Sequence, residues 1–196
     1  MSVKVLGLAT SPRRKGNTET LLDWALEAAG EAGAEVTKLR LRELEVNPCI
    51  ACDGCFDGGA CIVEDGMEEL YPLLRGADSI ILAAPIFSMG LAAQAKAMID
   101  RCQPFWAIKY VLRRPLIEPG RPRRLGGFLC CAGTTYSTVF DGARQVMRYF
   151  WHVLEVEPAG ELLCPGVDAK GEIHDFPSAR EVARDIGRRL GVREEA

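Results

Sequence analysis

A doubly wound α/β fold, one parallel sheet with helices on both faces, is what this chain predicts, and three observations predict it. Strand-like apolar runs alternate with helix-period segments along the 196 residues, giving five strands in all. The run Ser79–Ala84 is apolar almost without interruption, as expected of a strand covered on both faces. The first strand also leads directly into a loop of hydroxyls, cations and glycine before a helix, which marks the ligand end of such a sheet.

The elements follow in order. Val3–Ala9 reads as a buried strand. Over Asn17–Ala32, Leu21, Leu22, Ala25, Ala28, Ala29 and Ala32 share one helical face, and Gly33 supplies the stop. Val36–Leu41 is the next strand. A cysteine-rich loop over residues 47–65 separates it from a short helix opened by Asp65, with Glu68 three residues on. Pro72 should shorten or kink that helix. After Ser79–Ala84 come a helix over Leu91–Cys102, an irregular basic insertion over residues 104–124 and a buried strand over Leu125–Ala132. Phe140–Leu154 is helical, with Ala143, Val146, Met147, Phe150 and Trp151 inward. A last strand lies within Glu155–Leu163. Ser178 and Glu181 predict a capping box for a closing helix striped by Val182, Ile186 and Leu190. Right-handed crossovers leave few topologies for five such strands. The flavodoxin-like order 2-1-3-4-5 is expected, with ligand bound beyond the carboxyl ends at the switch between the first and third strands.

Bulk properties bound the function. The length fits one domain spanning 1–196. A net charge of −3 argues for no nucleic-acid or membrane partner, and no apolar run approaches the ~18 residues that span a bilayer. The first residues enter a strand pattern with no basic and apolar leader, so the cytoplasm is the expected compartment.

The cysteines narrow it further. Cys49, Cys52, Cys55 and Cys61 follow the spacing C-x2-C-x2-C-x5-C, with Gly58-Gly59 before the fourth. Four closely spaced thiolates are how proteins hold iron–sulfur clusters. A structural zinc site usually separates two C-x2-C pairs by a longer spacer. Disulfides are disfavoured in a reducing compartment. Zinc, redox-active thiols and a relic of a lost cluster remain alternatives at this point. Cys102, Cys130, Cys131 and Cys164 lie in apolar segments and read as core residues.

The loop Thr10–Thr18 is the candidate phosphate site. A helix N-terminus offers unpaired N–H groups and partial positive charge. Ser11, Asn17 and Thr18 can donate, Gly16 permits close backbone approach, and Arg13, Arg14 and Lys15 add charge. A capped helix with a solvated basic loop is the plain alternative. The loop matches neither dinucleotide-binding nor Walker A glycine spacing. Pro85-Ile86-Phe87-Ser88-Met89-Gly90 leaves the third strand's carboxyl end and can hold the edge and face of a flat ring. Gly133 and Thr134 leave the fourth strand beside it.

Together these stretches resemble the NADPH-dependent FMN reductase group of flavodoxin-like proteins, and within it the iron–sulfur flavoproteins. The resemblance is carried by Ser11-Pro12-Arg13 with Gly16-Asn17-Thr18, by Pro48 through Cys61 followed by Asp65-Gly66-Met67, by Pro85 through Met89, and by Lys96-x2-Ile99-Asp100-Arg101. It implies that Ser11, Arg13, Asn17 and Thr18 hold an FMN phosphate and Pro85 through Gly90 the isoalloxazine. It further implies a [4Fe-4S] cluster on the four clustered cysteines, NAD(P)H as a donor, and a homo-oligomer, dimer or tetramer. Phe87 stands where many relatives carry Tyr, and Thr10 where Gly is common.

The insertion 104–124 sets six cations (Lys109, Arg113, Arg114, Arg121, Arg123, Arg124) against Glu118, with Phe105, Trp106 and Tyr110. It reads as a flavin cover, a nicotinamide-phosphate site, a subunit contact or a solvated connection. His152 and His174 read as structural. The sequence therefore predicts an FMN-dependent oxidoreductase relaying electrons through FMN and a cluster to a small-molecule or protein partner. A cluster-free NAD(P)H-dependent FMN or quinone reductase is the alternative. A non-catalytic signalling domain of the same fold is a second, disfavoured because Thr10-Ser11-Pro12 replaces the acidic pair it would need.

Overall fold

The computed structural model describes residues 2–193. Strand β1 (Lys4–Ala9) feeds helix α1 (Asn17–Glu31), which ends at Gly33 with φ of 94°. Strand β2 (Glu35–Arg40) and a 3-10 turn (Leu41–Glu43) lead into the cysteine loop, whose only helix among the described residues is the single turn α2 (Cys55–Gly58). Helix α3 (Met67–Gly76) keeps Pro72 inside it. Strand β3 (Ser79–Phe87) turns back through β4 (Gly90–Leu91) into helix α4 (Ala93–Asp100). Helix α5 (Gln103–Tyr110), strand β5 (Leu125–Ala132), helix α6 (Asp141–Leu154), strand β6 (Glu157–Pro165) and helix α7 (Ala179–Leu190) complete the order.

The main sheet runs β2-β1-β3-β5-β6, all parallel. This is the expected flavodoxin-like order of five strands; β4 is a sixth, off that path. It pairs antiparallel with the end of β3, Phe87 opposite Gly90, so Ser88 and Met89 form a two-residue hairpin turn. Both have positive φ, 48° and 65°, a turn that favours Asn-Gly for lack of steric cost. Alternation of apolar and polar residues could not reveal it, since neither turn residue is a type that signals a reversal.

Two cores flank the sheet. Leu21, Leu22 and Ala25 of α1 join Ile186 and Leu190 of α7 on one side. Met67, Leu70, Met98, Phe105, Met147 and Phe150 fill the other. Cys102, Cys130, Cys131 and Cys164 are buried, as expected.

Two local expectations fail. The stretch from 104 is not irregular throughout: Pro104 stands in the first turn of α5, where a missing N–H costs nothing, and buried Phe105 anchors it. Ser178 makes no side-chain cap for α7 and has φ of 58°, so the capping box with Glu181 is not formed. Asp65, by contrast, does accept the Met67 N–H at the start of α3, at 3.0 Å.

Candidate functional site

At the carboxyl ends of β1, β3 and β5 three loops converge. Thr10 is buried and donates its hydroxyl to the Ala83 carbonyl at 2.9 Å, tying the first loop to β3. Ser11 Oγ accepts the Arg13 N–H at 3.1 Å, which leaves its own O–H free to donate. Gly16 lies against the same loop: a Cβ there would make ordinary contacts, 3.4 Å from the Arg13 carbonyl and 3.5 Å from Ser11 Oγ. Thr18 is buried in the first turn of α1.

Asn17 also ties the site to a distant part of the chain. Its Nδ2 donates to the Ala169 carbonyl at 2.9 Å and its Oδ1 accepts the Gly171 N–H at 2.8 Å. One N–H of the amide and its oxygen are engaged by the loop after β6, so Asn17 orders the site and keeps a second N–H donor. Arg13 also reaches that loop, donating to the Asp168 carbonyl at 2.8 Å. Residues 166–171 thus form a fourth wall that sequence reading missed. Gly133 backs onto it, since a Cβ there would meet Asp168 at 3.0 Å, and the Thr134 carbonyl accepts the Gly166 N–H.

Glu19 was also missed. It is 2% exposed and accepts Lys38 at 2.9 Å, Arg40 at 2.6 Å, Arg42 at 3.0 Å and the Lys15 N–H at 2.9 Å. Burial alone would raise its pKa; Arg40, Lys38, Arg42 and the Lys15 amide outweigh it and hold the carboxylate at about 2. Lys38, Arg40 and Arg42 alternate along the sequence, so they share one face of the chain. That alternation, with an acid in the facing helical turn, was the available signal.

In the second loop Pro85, Ile86 and Gly90 are half-buried, while Phe87, Ser88 and Met89 are exposed. The turn is braced from behind: a Cβ on Gly142 of α6 would strike the Met89 carbonyl at 2.8 Å.

The four cysteines of the 47–65 loop line one cavity of about 440 Å³, together with Phe56, Ile62, Arg101, Trp106 and Tyr149 among others. No residue of the three switch-point loops lines it, so within one chain the cysteine loop and those loops are separate regions. Cys49 and Cys52 are exposed, Cys55 and Cys61 half-buried. Burial pushes the Cys55 thiol up, and Cys61, Cys49 and Cys52 push it the same way by charge. Among the described residues no group of three or more His, Cys, Asp or Glu side chains is placed to hold one metal ion. A tetrahedral zinc site would bring thiolates within about 4 Å of each other, from Zn–S bonds of about 2.3 Å.

Side chains outside the loop hold it in place. Phe56 packs on Trp106 with ring centroids 5.9 Å apart. Gly54 and Gly59 are glycines for packing reasons: a Cβ would strike Ile62 at 2.8 Å and Ile108 at 2.7 Å. Gly59 also has φ of 78°. Arg101 donates to the Asn47 and Val63 carbonyls and to both oxygens of Asp65.

Arg123 and Arg124 of the basic insertion lie apart from the switch-point loops. Both stand before β5, at the amino end of the sheet, away from the switch point. Arg124 is buried and donates to the Ala77, Leu154 and Leu74 carbonyls. Arg123 pairs with Glu157. His152 accepts or donates a 2.6 Å hydrogen bond with Tyr110, and His174 packs edge-on against Trp24.

Residues 3–154 match the family model described as NADPH-dependent FMN reductase. An iron-sulfur flavoprotein of Methanocaldococcus jannaschii is 30% identical over 96% of this chain and 95% of its own length. A second from the same organism is 36% identical over 81% of this chain and 75% of its own. Among solved structures, an NAD(P)H:quinone oxidoreductase from Methanothermobacter marburgensis superposes with a TM-score of 0.71 at 20% identity, covering 97% of this chain and 95% of that one. No helix among the described residues is long and apolar enough to cross a membrane.

Proposed function

The chain belongs to the NADPH-dependent FMN reductase family, among its iron–sulfur flavoproteins, and is a flavoprotein oxidoreductase; from that premise we propose that it relays electrons between FMN at the switch point and a [4Fe-4S] cluster on Cys49, Cys52, Cys55 and Cys61. The observation that carries the proposal is that these four cysteines line one cavity. The donor set fits: four thiols, two half-buried, around a space larger than a single ion needs.

When bound, FMN supplies hydride acceptance and the cluster single-electron transfer. The chain's own residues bind and orient. Ser11 and Thr18 donate to the FMN phosphate, Arg13 and the α1 N-terminus balance its charge, and Gly16 admits it. Asn17 holds the loop from behind. Pro85 through Gly90, with Gly133 and Thr134, flank the ring. We read the chain as one FMN-binding domain over 1–196, with NAD(P)H as donor and a small-molecule or protein acceptor.

A homo-oligomer, dimer or tetramer, completes the reading. Ile50 and Ile62 on the cysteine loop and Phe87, Met89 and Tyr136 on the switch-point loops are all exposed large apolar side chains. Burying both sets at one interface would bring one chain's cysteines to its neighbour's flavin loops. The test is anaerobic purification, reconstitution with iron and sulfide, and assay of iron, sulfide and FMN per chain, with light scattering for assembly. Four irons and one FMN per chain in an oligomer are expected. FMN without iron or sulfide would sink the cluster and leave the plain FMN or quinone reductase. A monomer would sink the relay across an interface.

A further inference from the structure

Arg101 closes α4, and its guanidinium lies beneath the cysteine loop, 1% exposed. A guanidinium carries five N–H donors. Four hydrogen bonds engage its two terminal nitrogens: Nη1 to the Asn47 carbonyl at 2.9 Å and Asp65 Oδ2 at 2.6 Å, Nη2 to the Val63 carbonyl at 3.0 Å and Asp65 Oδ1 at 3.1 Å. These contacts pin residues 47, 63 and 65, the two ends of the loop, to one helix. The fifth donor is the Nε–H. It is buried and has no partner.

A buried donor left unmade loses its hydration without return. Arg101 lines the cavity of the four cysteines, and it is the one Lys or Arg side chain that does so among the described residues. Four cysteine sulfurs line that cavity, beside the oxygen acceptors of Asp53, Gln103 and Tyr149, and sulfur is the acceptor that a group held by the cysteines would bring. Asp65, 2% exposed, already balances the charge of Arg101. What Arg101 adds to a bound group is therefore chiefly a directed hydrogen bond.

We propose that the Nε–H of Arg101 donates to a sulfur, thiolate or bridging sulfide, of the group held by Cys49, Cys52, Cys55 and Cys61. Arg101 is then a positioning residue with two functions. It fixes the ends of the loop before the group arrives, and it stabilises the more negative, reduced state afterwards, because donors to cluster sulfurs favour added electrons. The inference rests on the cluster reading above.

The sign of a potential shift separates this from a merely structural clamp. Arg101→Lys keeps the charge and removes the Nε–H, so the cluster midpoint potential, followed by electron paramagnetic resonance, should fall. Asp65→Asn removes a negative charge and keeps the Nε–H, so the potential should rise. FMN content should stay at the wild-type level in both. In wild-type protein carrying 15N-labelled arginine, the Arg101 Nε–H resonance should shift or broaden on loading with iron and sulfide, which needs no variant to fold. A wild type that retains neither iron nor sulfide overturns the cluster reading and this one with it. A loaded wild type with an unchanged Nε–H signal, or a loaded Arg101→Lys protein with an unchanged potential, overturns this one alone.

Discussion

The loop after β1 and the loop after β2 leave adjacent strands, yet they are held in opposite ways. The first spans seven residues between β1 and α1, and its key groups, Thr10, Ser11, Asn17 and Thr18, are buried. Its supports belong to the sheet itself: the Ala83 carbonyl of β3, the Lys38 and Arg40 side chains of β2, and the backbone just past β6. The second runs from the turn after β2 to α3 with Cys49 and Cys52 exposed. Its supports are side chains of α4 and α5, chiefly Arg101 and Trp106. The first loop is thus a consequence of the fold, since any chain with this strand order brings these elements together. The second is an insertion on the outside of that fold, and it depends on a few particular contacts. The lesson is that the two proposed cofactor sites should fail independently.

The sharpest break is at the cysteines. Cys52→Ala should abolish bound iron and sulfide while FMN stays at the wild-type level, measured by metal and flavin analysis after anaerobic reconstitution. Hydride uptake from NADPH should persist, and transfer to a one-electron acceptor should fall. Loss of both cofactors together would show the two regions to be one unit.

On the other side, Glu19→Ala strips the carboxylate from Lys38, Arg40 and Arg42. Removing one partner of a buried ion network costs about 3–5 kcal/mol, readable by urea unfolding. FMN affinity should fall with it, and iron content of reconstituted protein should not. The same residue sets an acid limb. Its folded pKa is depressed to about 2, so its contribution is full above the unfolded value and lost as pH falls from about 4.5 toward 2. That contribution is about 3 kcal/mol, and the acid limb should flatten in Glu19→Gln.

Smaller effects come from single ligand contacts. Ser11→Ala and Thr18→Ala should each weaken FMN binding by about 1.5–3 kcal/mol, the worth of a hydrogen bond to a charged group. Riboflavin, which lacks the phosphate, should bind equally to all three proteins. Equal affinity of the wild type for FMN and riboflavin would remove the phosphate assignment.

The smallest is conformational. Met89 holds φ of 65° in the hairpin turn of the second switch-point loop, a cost of about 1 kcal/mol that glycine avoids. Met89→Gly should raise the unfolding midpoint slightly in the flavin-free protein. No gain there would mean the turn is held by packing against α6 rather than strained.

By itself the sequence determined the fold class, the strand order and the places where chemistry-bearing residues cluster. Period and apolar runs are local properties, and each expected strand is found, though β3 runs on to Phe87 and β6 to Pro165. The four-cysteine spacing was legible for the same reason, since the four thiols sit within one short segment. Tertiary structure alone decided what each polar group is spent on. Asn17 was read as a donor to ligand, and its amide also ties α1 to a loop 152 and 154 residues away in sequence. Arg124 looked like a phosphate partner and is instead buried under three backbone carbonyls. Glu19 was marked only indirectly, by the alternating cations about twenty residues on, and Arg101 not at all, because a charged side chain is buried only where distant segments supply its partners. A hydrogen bond is made or lost by position in space, and a sequence states only position along the chain.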